Sequence, residues 1–356
     1  MIVKKINLTH YRNYNNIQLE LHPKMNIIIG DNGVGKTNIL ESLVFVSNTK
    51  SFRTNDDQEL IQKEYDYARI DIESDKNKFR IIINKQGKNL MLNNSTIAKT
   101  SDFIGKLNVV LFKPNDLELF ETSPRNRRRI LDLEIGKISN QYLNAILVYN
   151  KLLKDKNNLL KQEKIDEIYL EVINEKMVDP IYEIIKWRQD FINYINDNIN
   201  TYYHRLSNSD NKIVAEYDKC SELDKESIKE MITKNTDKDL FYHFTTVGPQ
   251  KEDFNFLYDG YDVASYASQG QKRMIMIAFK FVLIDFIKKI TNTTPVLLLD
   301  DILSELDISN KERLLNMIDN DIQTIITSTD VEGIKLNNKY RLFELRKDGN
   351  DKWQIK

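Results

Sequence analysis

The chain has 356 residues, 41% hydrophobic and 29% charged, with a formal net charge of −1, enough for two domains or for one with a large insertion. The balanced charge excludes a polycation, so any affinity for nucleic acid must come from a local basic patch. The single cysteine, Cys220, excludes an internal disulfide framework; with no signal-like start and no apolar run near the ~20 residues of a membrane helix, a cytoplasmic protein is expected.

In chain order, Ile2–Leu8 and Ile17–Leu21 alternate like edge strands, with a turn over Asn13–Asn16 between them. Met25–Ile29 is a short apolar run and reads as a buried strand. It leads into Gly30, Asp31, Asn32, Gly33, Val34, Gly35, Lys36 and Thr37, a full G-x-x-x-x-G-K-T match, and Asn38–Ser47 continues with helical periodicity. Arg69–Glu73, Phe79–Asn84 and Asn89–Leu92 read as further strands, with a turn at Gln86–Lys88. From about Lys113 to Phe244 the pattern is mostly helical. One stripe runs from Tyr142 to Leu160, and a second from Ile181 to Tyr202 begins at Pro180, a residue suited to a first helical turn. No heptad repeat persists, so two packed helices of a few turns are expected, not a coiled-coil arm. From Thr245 strands return. Lys272–Ile290 reads as a helix, and Val296–Leu299 and Thr324–Ser328 as buried strands. The simplest organisation is one α/β P-loop ATPase head, a mixed sheet with flanking helices, made of residues 1–112 and 245–356. A mostly helical lobe, 113–244, interrupts it.

The glycine loop binds phosphate because its glycines let successive amide N–H groups point at one anion, and the following helix adds its positive end. Lys36 reaches the β- and γ-phosphates and the Thr37 hydroxyl ligates Mg²⁺. Four apolar residues followed by Asp300 form a buried acidic strand of the Walker B kind, whose carboxylate holds the Mg²⁺ of bound ATP. Asp301 comes next and is the candidate to orient or deprotonate the attacking water. Where many ATPases of this architecture carry Glu, Asp is one methylene shorter, which predicts slow turnover suited to a switch. Ser268, Gly270 and Gln271 head the Lys272–Ile290 helix. Ser268 is a natural N-cap, and the helix start can either serve only as a cap or grip an anion.

Several ordered stretches carry a family resemblance. They are Tyr11–Tyr14, Gly30–Thr37, Lys50–Thr54, Asn108–Pro114, Ser123–Arg129, Gly248–Asp253, Ser268–Gln271 and Leu297–Asp307. On these the chain resembles the RecF family of bacterial recombination-repair ATPases, which are related to SMC and Rad50 heads. The resemblance covers nearly the whole chain. It implies an ABC-type head with a helical second lobe, and an ATP-dependent homodimer in which Ser268–Gln271 contacts the γ-phosphate held by the other copy. It also implies that Ser304–Asp307 crosses the interface, that Arg12 and Arg53 approach the nucleotide, and that the protein works on DNA with RecO and RecR. The expected role is DNA replication and recombinational repair: recombinase loading at gaps, with weak, DNA-stimulated ATP hydrolysis as a release switch, and support of the SOS response. Another SMC- or Rad50-like head acting as a DNA clamp is the runner-up. Two positions depart from the family pattern. Gln250 stands where a histidine is common, and Ser123 where glycine is common.

Arg125, Arg127, Arg128 and Arg129 form the densest basic run and are the candidate DNA contacts, with internal salt bridges as the competing reading. Lys272 and Arg273 are a second candidate patch, for which an interface role is the leading reading. No base-reading motif is present, so sequence-tolerant binding to gapped or junction duplex is expected. Three rivals fit less well. A transporter ATPase would place a switch histidine after the acidic strand, whereas His10, His22, His204 and His243 all precede it. A long tether would need far more helical sequence, and a small-molecule kinase would have no use for Ser268–Gln271.

Overall fold

A computed structural model describes residues 1–330, 340–347 and 353–355. It divides into two compact units. The first comprises Met1–Asp116, Arg205–Asn208 and Leu283–Lys356; the second comprises Leu117–His204 and Ser209–Val282. Residues 245–282, expected in the head, cluster instead with the helical lobe, because the strand Asp253–Tyr258 pairs antiparallel with Ile213–Asp218 and not with the parallel sheet.

Among the described residues the first unit holds two six-stranded sheets. In one, Tyr340–Lys347, Met25–Ile29, Thr324–Ser328, Val296–Asp300 and Val109–Phe112 lie parallel in that order, and Trp353–Ile355 is added antiparallel at one edge. Its central strands are buried on both faces, which is why they read as continuous apolar runs. In the other sheet the order is Tyr14–Glu20, Val3–Tyr11, Tyr67–Ser74, Lys78–Asn84, Gly87–Leu92 and Ser95–Thr96, all antiparallel. Val3–Tyr11 is therefore an interior strand and not an edge strand: Tyr67–Ser74 occupies its second side. The turn after it is tighter than expected, with Tyr11 paired to Tyr14 and only Arg12 and Asn13 between them, Arg12 at φ +53°. One core serves both sheets. Ile39, Leu43 and Phe45 of the helix Lys36–Asn48 pack with Leu8, Ile70 and Ile81 on one side and Leu298 and Ile325 on the other.

The second unit combines helices with a three-stranded sheet, Tyr261–Asp262, Asp253–Tyr258 and Ile213–Asp218. Its helices include Pro124–Ile138, Asn140–Leu159 and Lys225–Lys234. The helix expected to start at Pro180 instead runs from Glu167 to Ser207, 41 residues with Pro180 inside it. Leu170, Ile173 and Met177 are buried and extend the apolar stripe upstream of the proline, so packing carries the helix through the missing N–H. Among the described residues no helix is long and apolar enough to cross a membrane.

Candidate nucleotide-binding site

Three parallel strands end together, and their carboxyl ends build the site, as open α/β sheets generally do. Ile28 pairs with Thr327 and Thr327 with Asp300. The glycine loop leaves the end of Met25–Ile29 and turns into the helix at Lys36. Gly30 and Gly35 have φ of +156° and +108°. A Cβ on Gly30 would stand 2.7 Å from the Leu345 carbonyl oxygen, and one on Gly35 would stand 2.6 Å from the Asn13 amide nitrogen. Gly30 therefore requires glycine sterically as well as conformationally, and the positive φ of Gly35 requires it conformationally.

Lys36 is buried, and its Nζ donates to the carbonyl oxygens of Gly30 at 2.7 Å and Asp31 at 3.2 Å. The loop thus holds its own cation close to where phosphate charge belongs. The Thr37 hydroxyl donates to Asp300 Oδ1 at 2.9 Å, and the Thr327 hydroxyl donates to the same oxygen at 2.8 Å. Burial pushes the Asp300 carboxyl above the usual carboxylate range; the two hydroxyl donors pull against that shift, and neighbouring Asp301 adds to it. Thr37 and Asp300 thus form an adjacent hydroxyl–carboxylate pair that fits Mg²⁺. Asp301 takes a left-handed backbone, φ +50°, and its N–H donates to the Thr327 hydroxyl at 3.0 Å. Its Oδ1 is buried without a hydrogen-bond partner, an acceptor suited to a water beside the phosphates.

A cleft of about 520 Å³ opens here, with Lys36, Thr37, Asp301, Arg12 and Arg53 among its walls. The two arginines named only from family resemblance do reach the site. Arg12 is committed: its Nε and Nη2 donate to Glu41 at 2.9 and 2.6 Å. Arg53 is half-exposed, donates to Asn38 Oδ1 at 2.7 Å and lies 3.8 Å from Glu41. Glu41 is fully buried and also accepts from the Ser51 hydroxyl at 2.5 Å. Sequence reasoning missed Glu41, and it missed the brace in which the Asn13 amide donates to Val34 O at 3.2 Å and the Tyr14 hydroxyl to Gly35 O at 2.9 Å. The available signal was the pairing of Tyr11–Tyr14 and Lys50–Thr54 with one helix, which no local pattern reveals.

The signature residues, Ser268–Gln271 at the head of their helix, lie in the second unit. Ser268 and Gly270 are exposed at the start of the helix Gln269–Thr291. The Ser268 hydroxyl accepts from Gln271 N at 3.3 Å, and Gln271 Oε1 accepts from Ser268 N at 2.8 Å, a reciprocal capping box. Outside its own helical turn, no atom lies within 4 Å of where a Cβ on Gly270 would sit, so an anion can approach the backbone there. Lys272, offered as a basic surface residue, is buried and donates to Glu121 at 2.7 Å and to Ala264 O at 2.8 Å. After the acidic strand, the Ser304 hydroxyl donates to Asp301 O at 2.6 Å, and Asp307 caps the helix Ile308–Met317 by accepting from Asn310 N at 2.8 Å.

The arginine run splits in two. Arg127 donates to both carboxylate oxygens of Asp253, at 2.8 and 2.5 Å, and to Thr122 O at 2.5 Å; its pairing with Asp253 raises its pKa. Arg128 donates to Glu252 O, and burial lowers its pKa. For these two, internal bonding is the arrangement observed. Arg125 and Arg129 are exposed. Gln250, in the place of the usual histidine, accepts from the Tyr149 hydroxyl and donates to Val247 O at 2.9 Å, so it braces its own loop.

Comparison with known proteins agrees with this geometry. The family described as the RecF/RecN/SMC N-terminal domain matches residues 2–350. The DNA replication and repair protein RecF of Lysinibacillus sphaericus is 36% identical over 350 residues, 94% of each chain. Its counterpart from Streptococcus agalactiae is 36% identical over 356 residues, 97% of this chain and 96% of the relative. A solved structure of the recombination mediator protein RecF-ATP in the RecFOR pathway superposes with a TM-score of 0.89 at 30% identity, covering 99% of both chains. An SMC head bound to the winged-helix domain of ScpA shares the fold alone, with a TM-score of 0.59 at 16% identity. The chain belongs to the RecF family.

Proposed function

We propose that the chain is an ATP-gated switch of DNA replication and recombinational repair. It binds ATP with Mg²⁺, pairs with a second copy of itself, and acts in the cytoplasm on gapped or junction duplex to promote recombinase loading and support the SOS response. It works with RecO and RecR, as the RecFOR pathway named for its solved relatives suggests. The observation that carries the reading is the meeting of Lys36, Thr37 and Asp301 at one cleft in the first unit, with Asp300 bonded to Thr37, while Ser268–Gly270 stays exposed with its cap formed. A complete phosphate site and an exposed anion-gripping helix start are what a nucleotide shared between two copies requires.

Lys36 exchanges its loop carbonyls for the β- and γ-phosphates, at little cost because the ammonium is already in place. Thr37 and Asp300 would hold Mg²⁺, which would supply positive charge against the transferring phosphoryl group. Asp301 orients the attacking water through its unpartnered oxygen. Light scattering with and without ATP, on gapped duplex and free in solution, tests the reading. ATP should double the mass; a constant monomer under saturating ATP overturns the proposal.

A further inference from the structure

The signature is steadied by more than its own helix. Gln271 uses both ends of its side-chain amide: Oε1 accepts from Ser268 N at 2.8 Å, and Nε2 donates to the Tyr258 hydroxyl at 3.0 Å. Tyr258 ends the strand Asp253–Tyr258, which pairs residue by residue with Ile213–Asp218 along its whole length. At the other end of this strand, Asp253 is clamped by the two-pronged bond from Arg127. An unbroken chain of hydrogen bonds and paired backbone therefore runs from the helix Pro124–Ile138, which also carries exposed Arg125, to the signature.

We propose that the strand Asp253–Tyr258 is a strut that sets the signature, with Tyr258 as the positioning residue for Gln271 and the Arg127–Asp253 pair as its anchor. The inference rests on the reading that Ser268–Gln271 grips a nucleotide held by a second copy. A glutamine side chain has three rotatable bonds, and one contact to its own cap leaves it several rotamers. The Tyr258 hydroxyl selects one of them. In that rotamer Oε1 satisfies Ser268 N, the first helical turn stays wound, and its free N–H groups stay aimed outward. Without the hydroxyl the helix still forms, because its apolar side is buried around Ile275, Phe279 and Val282. Only the aim of the first turn is lost.

The test is the ATP concentration giving half-maximal dimer by light scattering, alongside fluorescent-ATP affinity measured on dilute monomer and a thermal melt. Tyr258→Phe should raise the half-maximal ATP concentration about 3- to 10-fold while monomer affinity and melting stay as in the wild type. Asp253→Asn should shift it in the same direction, with recovery in Asp253→Glu. Adding Tyr258→Phe to Gln271→Ala should give no further shift, since both act through one hydrogen bond. Ser268→Arg serves as the variant that cannot pair. If Ser268→Arg fails to dimerise but Tyr258→Phe matches the wild type, the strut is wrong and the shared-nucleotide reading stands. If the wild type itself stays monomeric in ATP, both fall. Additive effects in the double variant, or a shift in Tyr258→Phe without one in Asp253→Asn, also overturn the strut.

Discussion

Asp300 receives two hydroxyl donors on one oxygen, and only one of the donors was foreseeable. Thr37 comes with the glycine-loop motif. Thr327 arrives through strand register, because a parallel neighbour places it beside Asp300. Such outer partners orient a metal ligand, and their loss typically costs about 10- to 100-fold in metal affinity. Thr327→Val should raise the Mg²⁺ requirement for ATP hydrolysis by about that factor in a Mg²⁺ titration, with little change in melting. Asp300 also has a pH signature. Burial raises its folded pKa, so the folded state holds the proton more tightly than the unfolded chain does. The resulting penalty grows as pH rises from the ordinary carboxylate range to the raised pKa, then stays constant above it. Asp300→Asn keeps an acceptor for both hydroxyls and removes the charge. Its nucleotide-free Tm should equal or exceed that of the wild type at neutral pH, while protection by Mg²⁺ and ATP disappears. Glu41 marks the limit of reading at this scale. It is one acid on a mostly apolar helix, and only the fold shows Arg12, Ser51 and Arg53 gathered on it.

Among the elements, the central parallel strands Met25–Ile29, Val296–Asp300 and Thr324–Ser328 were legible because full burial writes itself as a short, mostly apolar run, whereas the half-exposed Tyr340–Lys347 was not. The helix Glu167–Ser207 was only half legible. Pro180 is a plausible first-turn residue, and that possibility hid Leu170, Ile173 and Met177 in the turns upstream. Interior proline forfeits a hydrogen bond and crowds the preceding turn, at about 3 kcal/mol in an ideal helix. Because Pro180 is buried and its packing offsets part of this, Pro180→Ala should stabilise the protein by about 1–2 kcal/mol, read from urea denaturation. A loss of stability would show that the long helix needs its proline. The small sheet was missed for a different reason. Ile213–Asp218 and Asp253–Tyr258 are short and far apart in sequence, and the first lies within a stretch whose pattern is mostly helical.

Over the whole molecule, a net charge of −1 leaves DNA binding to local patches, and the arginine run divides its labour. Arg127 and Arg128 are half-buried and bond internally, and Arg125 and Arg129 are exposed. Replacing Arg125 and Arg129 with Ala should weaken binding to gapped duplex and reduce the slope of log affinity against log salt by roughly 0.9 for each phosphate left unneutralised. Replacing Arg127 should instead lower thermal stability. An unchanged salt slope in the Arg125 and Arg129 variant would move the DNA elsewhere. The family and both halves of the phosphate site were legible from ordered motifs; the division of the arginines was not, because it depends on which carboxylates the fold brings near.

The left-handed backbone at Asp301 reaches beyond geometry to the timing of the cycle. Asp tolerates that conformation better than longer side chains do, and a Glu there carries a backbone cost of about 1 kcal/mol. The short acid and the bent chain therefore come as a pair. Asp301→Glu should not hasten single-turnover hydrolysis, since the longer arm must first straighten the bend. The lifetime of the ATP-bound state would then be written into a main-chain torsion, which selection cannot retune by exchanging one carboxylate for another.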